Sequence, residues 1–372
     1  MGSALDYFRD ERILTGWNLG DTLDAHEKGV SGETLWGNPK ASQLLFDGVK
    51  KAGFDIVRIP VTWMGHFGAK PDFKIKEKLL MRVAEVADYA HNASLKVIIN
   101  MHHDGITSRE EKQEGWHSIK RAGKNKSEYE RITFQFFQLW KNIALYFKDY
   151  GQWLMFESMN EIHDGNWGND SKGELNVTKE LIPQFEIINK WNQVFTDAVR
   201  SAAGCNTGRF LIISGYCKVP MHTIADYFIL PADPSPFKQI VSFHYYDPYE
   251  FCIEGSKHFW GGKEDKKQAD DDFAPFKKRF IDNKVPVIIG ESGAALQLHG
   301  GKSKEETARR CRLDYISYIY SKAKEYGLVP FYWDNGAAET SEDGEKFGLI
   351  NRKTGKPNND ESDKIIKAIT GN

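Results

Sequence analysis

The sequence lacks both a long hydrophobic run and an excess of charge of either sign. Its 372 residues include 50 lysines and arginines and 52 aspartates and glutamates, which gives a formal net charge of −2. No apolar run approaches the roughly 18–20 residues that span a bilayer. A chain without a positive surplus has no electrostatic basis for binding nucleic acid or an anionic membrane surface. We therefore expect neither as a partner.

Cysteine is scarce, and its spacing matches no common metal motif. The sequence contains 4 cysteines, none of them in a CxxC pair: Cys205, Cys217, Cys252 and Cys311. Such spacing argues against a structural zinc site. We expect free thiols, with a Cys205–Cys217 disulfide as the alternative.

The first three residues, Met1-Gly2-Ser3, are typical of a remnant left by an expression vector. On this interpretation the absence of a signal peptide says nothing about compartment, and we presume that a native one was removed. We therefore expect a secreted or cell-surface protein.

Short apolar runs recur along the chain and predict eight β-strands. Most of the runs are almost continuously apolar, as expected when both faces of a parallel strand are buried. The predicted strands are Thr15–Leu19, Asp55–Pro60, Lys96–Met101, Trp153–Glu157, Phe210–Ser214, Ile240–His244, Pro286–Gly290 and Leu328–Trp333.

Amphipathic helical patterns lie between these strands, most clearly through 75–93 and 128–148. The segments that lead from helix to strand are short, whereas those that lead from strand to helix are long. Alternating strands and helices with this asymmetry predict a single α/β domain over residues 1–372, a (β/α)8 TIM barrel with its active site at the C-terminal ends of the strands.

Polar or aromatic residues lie at or just beyond the ends of six of the predicted strands, where a closed barrel would bring them together. In chain order these residues are Arg58, His102 and His103, Asn160 and Glu161, His244 and Tyr246, Glu291, and Trp333. A single strand-end glutamate is usually a cap or an ion-pair partner, but six strands that present such groups at one rim indicate a functional site.

Two of these residues, Glu161 and Glu291, carry the most specific chemical signal. A pair of carboxylates beside a small cavity suits glycoside hydrolysis, in which one serves as acid and the other as nucleophile or base. Arg58 could keep one carboxylate ionised. Trp333 offers a flat face for a sugar ring. Glu157, four residues before Glu161, is interpreted as a structural ion-pair or hydrogen-bonding residue.

The strand-end motifs resemble those of glycoside hydrolase family 5, the cellulase family of clan A, and most closely its subfamily 4 of endo-β-1,4-glucanases and xyloglucanases. They occur in the family's order over residues 15–336: GWNLGDTLDA, VRIPVTW, VIINMHHDG, FESMNE, SFHYYDP, IIGESGA and YWDNG. Each motif is weak alone, but together they are highly specific.

The resemblance implies a retaining endo-β-1,4-glucanase that acts on cellulose, mixed-linkage glucan or xyloglucan, as a monomer and without a cofactor. It implies that Glu161 is the acid/base and Glu291 the nucleophile, with carboxyls about 5–5.5 Å apart. It also assigns supporting or substrate-binding roles to Arg58, His102, His103, Asn160, His244, Tyr246 and Trp333, and to Asp24 and Trp36 near the first motif.

One departure from the family pattern is Asp21, which stands where the family usually has asparagine. We expect it at a solvent-facing position on the rim, among substrate-binding residues. An added carboxylate there would raise the pKa of neighbouring acids.

Three alternatives stay open at this point. A β-mannanase or a xylanase could use the same fold, and a non-catalytic glycan-binding barrel would differ by losing one of the two glutamates. The triplet His102-His103-Asp104 could instead hold a metal, but it lacks HExxH spacing and cysteine partners. We therefore expect no catalytic metal.

If hydrolysis depends on carboxylates alone, exhaustive dialysis against a chelator will leave activity on a soluble β-glucan unchanged. The measurement is reducing-end release before and after dialysis, with a known metallohydrolase treated in parallel. Activity that is lost and then restored by one specific divalent ion would revive the metal hypothesis.

Overall fold

The computed structural model describes residues 2–105, 115–298, 302–341 and 345–371. Within them, eight parallel strands close into a barrel in which the first strand pairs with both the second and the last. We number them β1 to β8: Gly16–Leu19, Ile56–Ile59, Lys96–Asn100, Leu154–Glu157, Leu211–Ser214, Gln239–Tyr245, Val287–Ser292 and Leu328–Asp334.

Helices surround the barrel and connect its strands. They are Ala4–Asp10, Gln43–Lys51, Glu77–Asn92, Ile119–Lys124, Lys126–Tyr146, Ile182–Arg200, Pro220–Ile224, Lys263–Arg279, Lys302–Glu325 and Asp360–Thr370. Single helical turns occur at Lys179–Leu181, Gly204–Thr207, Tyr216–Lys218, Glu250–Glu254 and Ile281–Asn283. None of the helices in the described part of the chain combines the length and apolar character needed to cross a membrane.

Two separate apolar clusters form the core. The larger lies between the barrel and the surrounding helices. The smaller fills the barrel interior with Phe210, which directly precedes β5, and with eight strand residues, namely Ile56, Ile98, Met155, Ile212, Ile240, Ile288, Val329 and Phe331. Ala4, Phe8 and Ile13 join this inner cluster. The helix Ala4–Asp10 therefore closes the barrel at the N-terminal ends of the strands, opposite their C-terminal ends.

The predicted (β/α)8 barrel is confirmed, and every predicted strand is present with bounds that differ by at most two residues. Almost all residues in these strands are buried, which is why continuous apolar runs marked them. A small antiparallel pair, His26–Glu27 with Val30–Ser31, was not predicted because two-residue strands leave too short a pattern. The four cysteines all lie in described segments and are free, so the Cys205–Cys217 disulfide is absent.

The close approach of Gly48 to the backbone of Gly355 fixes the C-terminal segment against the helix Gln43–Lys51. A β-carbon at Gly48 would collide with the Gly355 carbonyl, whereas one at the exposed Gly123 would meet only Ile187 Cδ1, at 3.8 Å. We expect Gly48→Ala to lower the free energy of unfolding by about 1–3 kcal/mol.

Gly123→Ala is the matched control, since it changes the same residue type in a helix with free space. We expect it to be neutral or to stabilise by about 0.5–1 kcal/mol, because alanine loses less backbone entropy in a helix. Denaturant unfolding measures both variants. Equal stabilities for the two would contradict the close contact between Gly48 and Gly355.

Candidate active site

Arg58, on β2, lies at the centre of the cleft floor and is fully buried. Its Nε donates to Glu157 Oε2 over 2.6 Å, and one terminal nitrogen donates to Glu291 Oε1 over 2.7 Å. The same nitrogen also donates to Asn18 Oδ1 at 3.0 Å, and the other donates to Asn160 Oδ1 at 2.8 Å. One planar cation therefore fixes side chains from β1, β4 and β7 and from the segment that follows β4.

Glu157 is buried beneath the site, which supports its interpretation as a structural residue. It accepts hydrogen bonds from Arg58 Nε, from Asn100 Nδ2 at 3.1 Å and from the ammonium group of Lys218. Burial alone would raise its pKa. Arg58 and Lys218 outweigh burial and bring the pKa down to about 2, so Glu157 stays ionised.

Glu291 lies on β7 and is only 7% exposed at its side chain. Its Oε1 accepts from Arg58, and its Oε2 accepts from the hydroxyl of Tyr246 at 3.2 Å. Burial raises the pKa of Glu291, while Arg58 acts against that increase. Arg58 therefore offsets part of the cost of ionising this desolvated carboxylate.

Glu161 follows β4 and faces Glu291 across the cleft. A carboxylate oxygen of each residue and a ring nitrogen of His244 all lie within 4.8 Å of one another. Glu161 Oε1 is 2.6 Å from His244 Nδ1, which is 3.5 Å from Glu291 Oε2. Carboxylate oxygens within 4.8 Å of each other are compatible with retaining glycosidases, whose carboxyl groups lie roughly 5–5.5 Å apart.

The electrostatic environment separates the two glutamates. Burial and the neighbouring Glu291 raise the pKa of Glu161 to about 8, and Glu161 has no direct contact with Arg58 among the described hydrogen bonds. Burial holds the pKa of His244 well below its ordinary value, so the imidazole is neutral. Near neutral pH the proton therefore resides on Glu161, and the negative charge resides on Glu291.

His102 and Trp333 form one wall of the cleft. Their rings are stacked, with centroids 5.8 Å apart and planes 4° from parallel. His102 Nδ1 lies 3.1 Å from Asn100 Nδ2, and its Nε2 lies 3.4 Å from Asn160 Nδ2. These neighbours fix the imidazole beside the amide of Asn160.

A second aromatic group extends the cleft toward the rim. His103 packs against His102, His26 and Trp36, with ring centroids 4.4, 5.4 and 5.6 Å away. Trp36 donates its indole N–H to the carbonyl of His26 at 3.0 Å. Since Trp36 is 42% exposed, a flat apolar surface is available there to a ligand.

Asp24 supports this region from below rather than facing solvent. It is fully buried, and it accepts the backbone N–H groups of Asp21 and Thr22 at 3.1 and 2.8 Å. Its Oδ2 is 3.9 Å from His103 Nε2. The turn after β1 therefore depends on Asp24 for its shape.

Among the described residues, the carboxylate of Asp104 does not group with His102 and His103, unlike in the triplet considered as an alternative from the sequence. Its carboxylate accepts from the backbone N–H of Trp63 at 3.0 Å and from the indole of Trp116 at 2.6 Å. Asp24, instead, lies with His102 and His103 at distances that a metal ion could bridge.

Asp21 has a left-handed backbone, with φ of 53°, a conformation that aspartate, asparagine and glycine tolerate best. It is partly buried, not fully solvent-facing as expected. Burial and the nearby Asp24 raise its pKa to about 8. Asp21 is therefore largely protonated at neutral pH, and the expected effect of its charge on neighbouring acids is confined to alkaline conditions.

The structure brings all twelve predicted residues to one rim, but sequence reasoning missed other members of the site. Lys218 lies just beyond the end of β5, a strand to which the sequence analysis assigned no functional residue. Asn18 and Asn100 also contact the central network. Both are strand residues beside an apolar run, where an amide gives little signal.

Comparison with known proteins gives a consistent result. A protein-family model described as cellulase, glycosyl hydrolase family 5, matches residues 23–339. Endoglucanase A of Paenibacillus barcinonensis is 34% identical over 346 residues, which cover 86% of this chain and 80% of that protein.

Two further relatives come from Bacteroides species. The xyloglucan-specific endo-β-1,4-glucanase of Bacteroides ovatus is 34% identical over 367 residues, covering 93% of this chain and 66% of that protein. The solved structure of a GH5-4 broad specificity endoglucanase from Bacteroides salanitronis has a TM-score of 0.86 and 38% identity, covering 97% of this chain and 93% of that one.

The raised pKa of Asp21 predicts a pH-dependent stability. A group with a higher pKa in the folded state stabilises fully below its unfolded pKa, and this contribution is lost as pH rises toward the folded value of about 8. Asparagine does not titrate, so Asp21→Asn removes this loss of stability at higher pH. We expect its melting temperature to rise relative to the parent protein between about pH 4 and pH 8, by several degrees in total.

Asp47→Asn is the control, because Asp47 lies on an exposed helix face. Its difference from the parent protein should stay flat with pH. Thermal melts of all three proteins across this range make the comparison. A constant difference for Asp21→Asn would mean that Asp21 is ionised in the folded protein.

Proposed function

Because this chain belongs to glycosyl hydrolase family 5, we propose that it is a retaining endo-β-1,4-glucanase whose catalytic pair is Glu161 and Glu291. The observation that carries the proposal is the pair of carboxylates within 4.8 Å of each other, of which only Glu291 accepts a hydrogen bond from the buried Arg58. Two such groups in unlike environments suit a double displacement.

The charge distribution supports the assignment of roles. Arg58 donates a hydrogen bond to Oε1 of Glu291, and the Tyr246 hydroxyl donates one to its Oε2. These two hydrogen bonds favour the ionised, nucleophilic form of Glu291. The pKa of about 8 keeps Glu161 protonated at neutral pH, as a general acid requires. His244 contacts both residues and can hold the Glu161 carboxyl in place while its proton is delivered.

The reaction then takes two steps. Glu161 donates its proton to the glycosidic oxygen while an oxygen of Glu291 bonds to the anomeric carbon, and the C–O bond to the leaving sugar breaks. Next, Glu161 takes a proton from water as that water attacks the same carbon. The bond to Glu291 breaks, and the sugar leaves with its original anomeric configuration. The chain's own residues suffice for both steps.

The aromatic surfaces of the cleft indicate a chain of β-linked sugars. Trp333 lies beside the catalytic pair and Trp36 lies further out at the rim, so several sugar units could be contacted at once. The relatives are named endoglucanases and a xyloglucan-specific endoglucanase. We propose β-1,4-linked glucans as the substrates, namely cellulose, mixed-linkage glucan or xyloglucan.

The size of such a polymer bears on where the enzyme works. We propose a secreted or cell-surface monomer, because polymeric glucan is encountered outside the cell. We also propose that the whole of residues 1–372 forms one catalytic barrel domain, since the N-terminal helix packs on the barrel and the C-terminal helix packs on the helix Lys302–Glu325.

Substitutions of the two glutamates should have different effects on activity. We expect Glu291→Gln to abolish release of reducing ends from every β-glucan. Glu161→Ala should lose about 10²–10⁴-fold on polymers. It should lose much less in the first step on aryl glycosides, whose leaving group needs no proton. Azide should accelerate the second step of Glu161→Ala and yield a β-glycosyl azide, which NMR of the product identifies.

Glu130→Gln, an exposed helical glutamate, is the matched control and should retain full activity. The substrates are cellulose, mixed-linkage glucan, xyloglucan, mannan and xylan. Faster turnover of mannan or xylan than of any glucan would refute the substrate class. An α-glycosyl azide from Glu161→Ala would reverse the assigned roles.

A further inference from the structure

A buried lysine lies under the catalytic pair without any role in the reaction described above. Lys218 is completely buried, and its ammonium group donates to Glu157 Oε1 and, at 3.1 Å, to Ser242 Oγ. A fully buried ammonium is costly unless it is paired, because burial disfavours the charged form. Its position therefore calls for an explanation beyond packing.

The backbone that carries this lysine is held in an unfavourable conformation. Cys217 and Lys218 are consecutive residues with left-handed backbones, with φ of 51° and 52°. Hydrogen bonds from Cys217 N to the Ile162 carbonyl and from Lys218 N to the Gly215 carbonyl hold the turn, and Pro220 starts the next helix directly after it. Non-glycine residues in this region are strained, and such strain concentrates at functional sites.

The charges beneath the cleft balance only when Lys218 is included. Arg58 contacts two carboxylates, Glu157 and Glu291, so one cation faces two anions. Lys218 adds a second cation and pairs with Glu157 alone among the acids that form its described ion pairs. The charge of Arg58 is then available to Glu291.

We propose that Lys218 is a positioning residue that neutralises Glu157 and thereby lets Arg58 keep Glu291 ionised for nucleophilic attack. The proposal rests on the roles assigned above to Glu161 and Glu291. Lys218 does not touch substrate. It acts through Glu157 and Arg58, which link it to the nucleophile.

The ionisation of the surrounding groups is consistent with this role. Burial lowers the pKa of Lys218 to about 8, while Glu157 acts against the decrease, so the lysine is charged in neutral and acidic solution. Its charge also lowers the pKa of Glu161 and of Glu291. The titratable groups that face Lys218 or Glu291 are Asp21, Asp24, Arg58, His102, Glu157, Glu161, His244 and Tyr246.

The test follows the acidic limb of kcat/KM against pH on one soluble β-glucan. Lys218→Gln removes the charge but retains an amide that can donate to Glu157. Removing a cation raises the pKa of Glu291, so the acidic limb should move upward by roughly 0.5–1 pH unit. Lys218→Arg, which keeps the charge, should leave the limb in place. The alkaline limb is not used, because Lys218 and Glu161 both lose protons near pH 8.

Lys238→Gln is the matched control. Lys238 is also buried, but it donates to the Gly2 carbonyl at the opposite end of the barrel. It should not move the limb. If Lys218 had only a structural role, its substitution would lower kcat without displacing the acidic limb of the pH profile. Identical acidic limbs for Lys218→Gln and the parent protein would overturn the proposal.

A charge-balanced double variant still tests the proposal if the single variant fails to fold. In Glu157→Gln/Lys218→Gln both buried charges are gone, so Glu291 is the only carboxylate that still pairs with Arg58 among its described ion pairs. We expect the limb to return to its parental position, because the two residues are coupled. A limb displaced upward in the double variant would contradict the proposed neutralisation of Glu157.

The ionisation of Glu291 can also be measured without enzymatic turnover. Carboxyl ¹³C NMR of glutamate-labelled protein, titrated with pH, should show the pKa of Glu291 raised in Lys218→Gln and restored in the double variant. This separates two failures. If the parent protein hydrolyses no β-glucan, the proposed function is wrong, whereas an unchanged Glu291 titration shows that the role of Lys218 is wrong.

Discussion

The buried guanidinium of Arg58 is the interaction on which the rest of the site depends. A desolvated cation is stable only when its hydrogen-bonding groups are satisfied, and Arg58 meets this demand with oxygen atoms of Asn18, Glu157, Asn160 and Glu291. These partners come together only when the barrel has closed, since β1 is adjacent to β2 but β4 and β7 lie further round the ring. Closure of the barrel therefore satisfies the buried charge of Arg58 and, in the same step, sets the geometry of the proposed catalytic residues.

The same network explains how two nearby glutamates can differ in protonation. Both are desolvated, which by itself would raise the pKa of each. The direct contact with Arg58 places the negative charge on Glu291, and the repulsion between the carboxylates then favours a proton on Glu161. The environment, rather than the residue type, distinguishes the proposed acid from the proposed nucleophile.

Much of this architecture could be predicted from sequence because it follows from local patterns. Strands such as Lys96–Asn100 and Leu211–Ser214 are continuous apolar runs, and polar residues directly beyond most strand ends marked the rim. Lys218 was missed because a left-handed turn of non-glycine residues has no sequence signature, and because a lysine is ordinarily expected at the surface. Adjacency in sequence does not determine which side chains meet: the carboxylate of Asp104 accepts hydrogen bonds from two tryptophans, and Asp24 lies with His102 and His103 instead.

The helix Ala4–Asp10 gives the barrel only one open end. Its Ala4 and Phe8, together with Ile13, complete an apolar floor with residues from all strands but β1. The determinants of folding are thus concentrated at one end of the barrel and those of chemistry at the other. Loops at the open rim can exchange residues, lengthen or acquire new contacts without disturbing that floor. This separation makes the scaffold evolvable, since a lineage can change the polysaccharide it degrades while the same inherited base keeps the barrel folded.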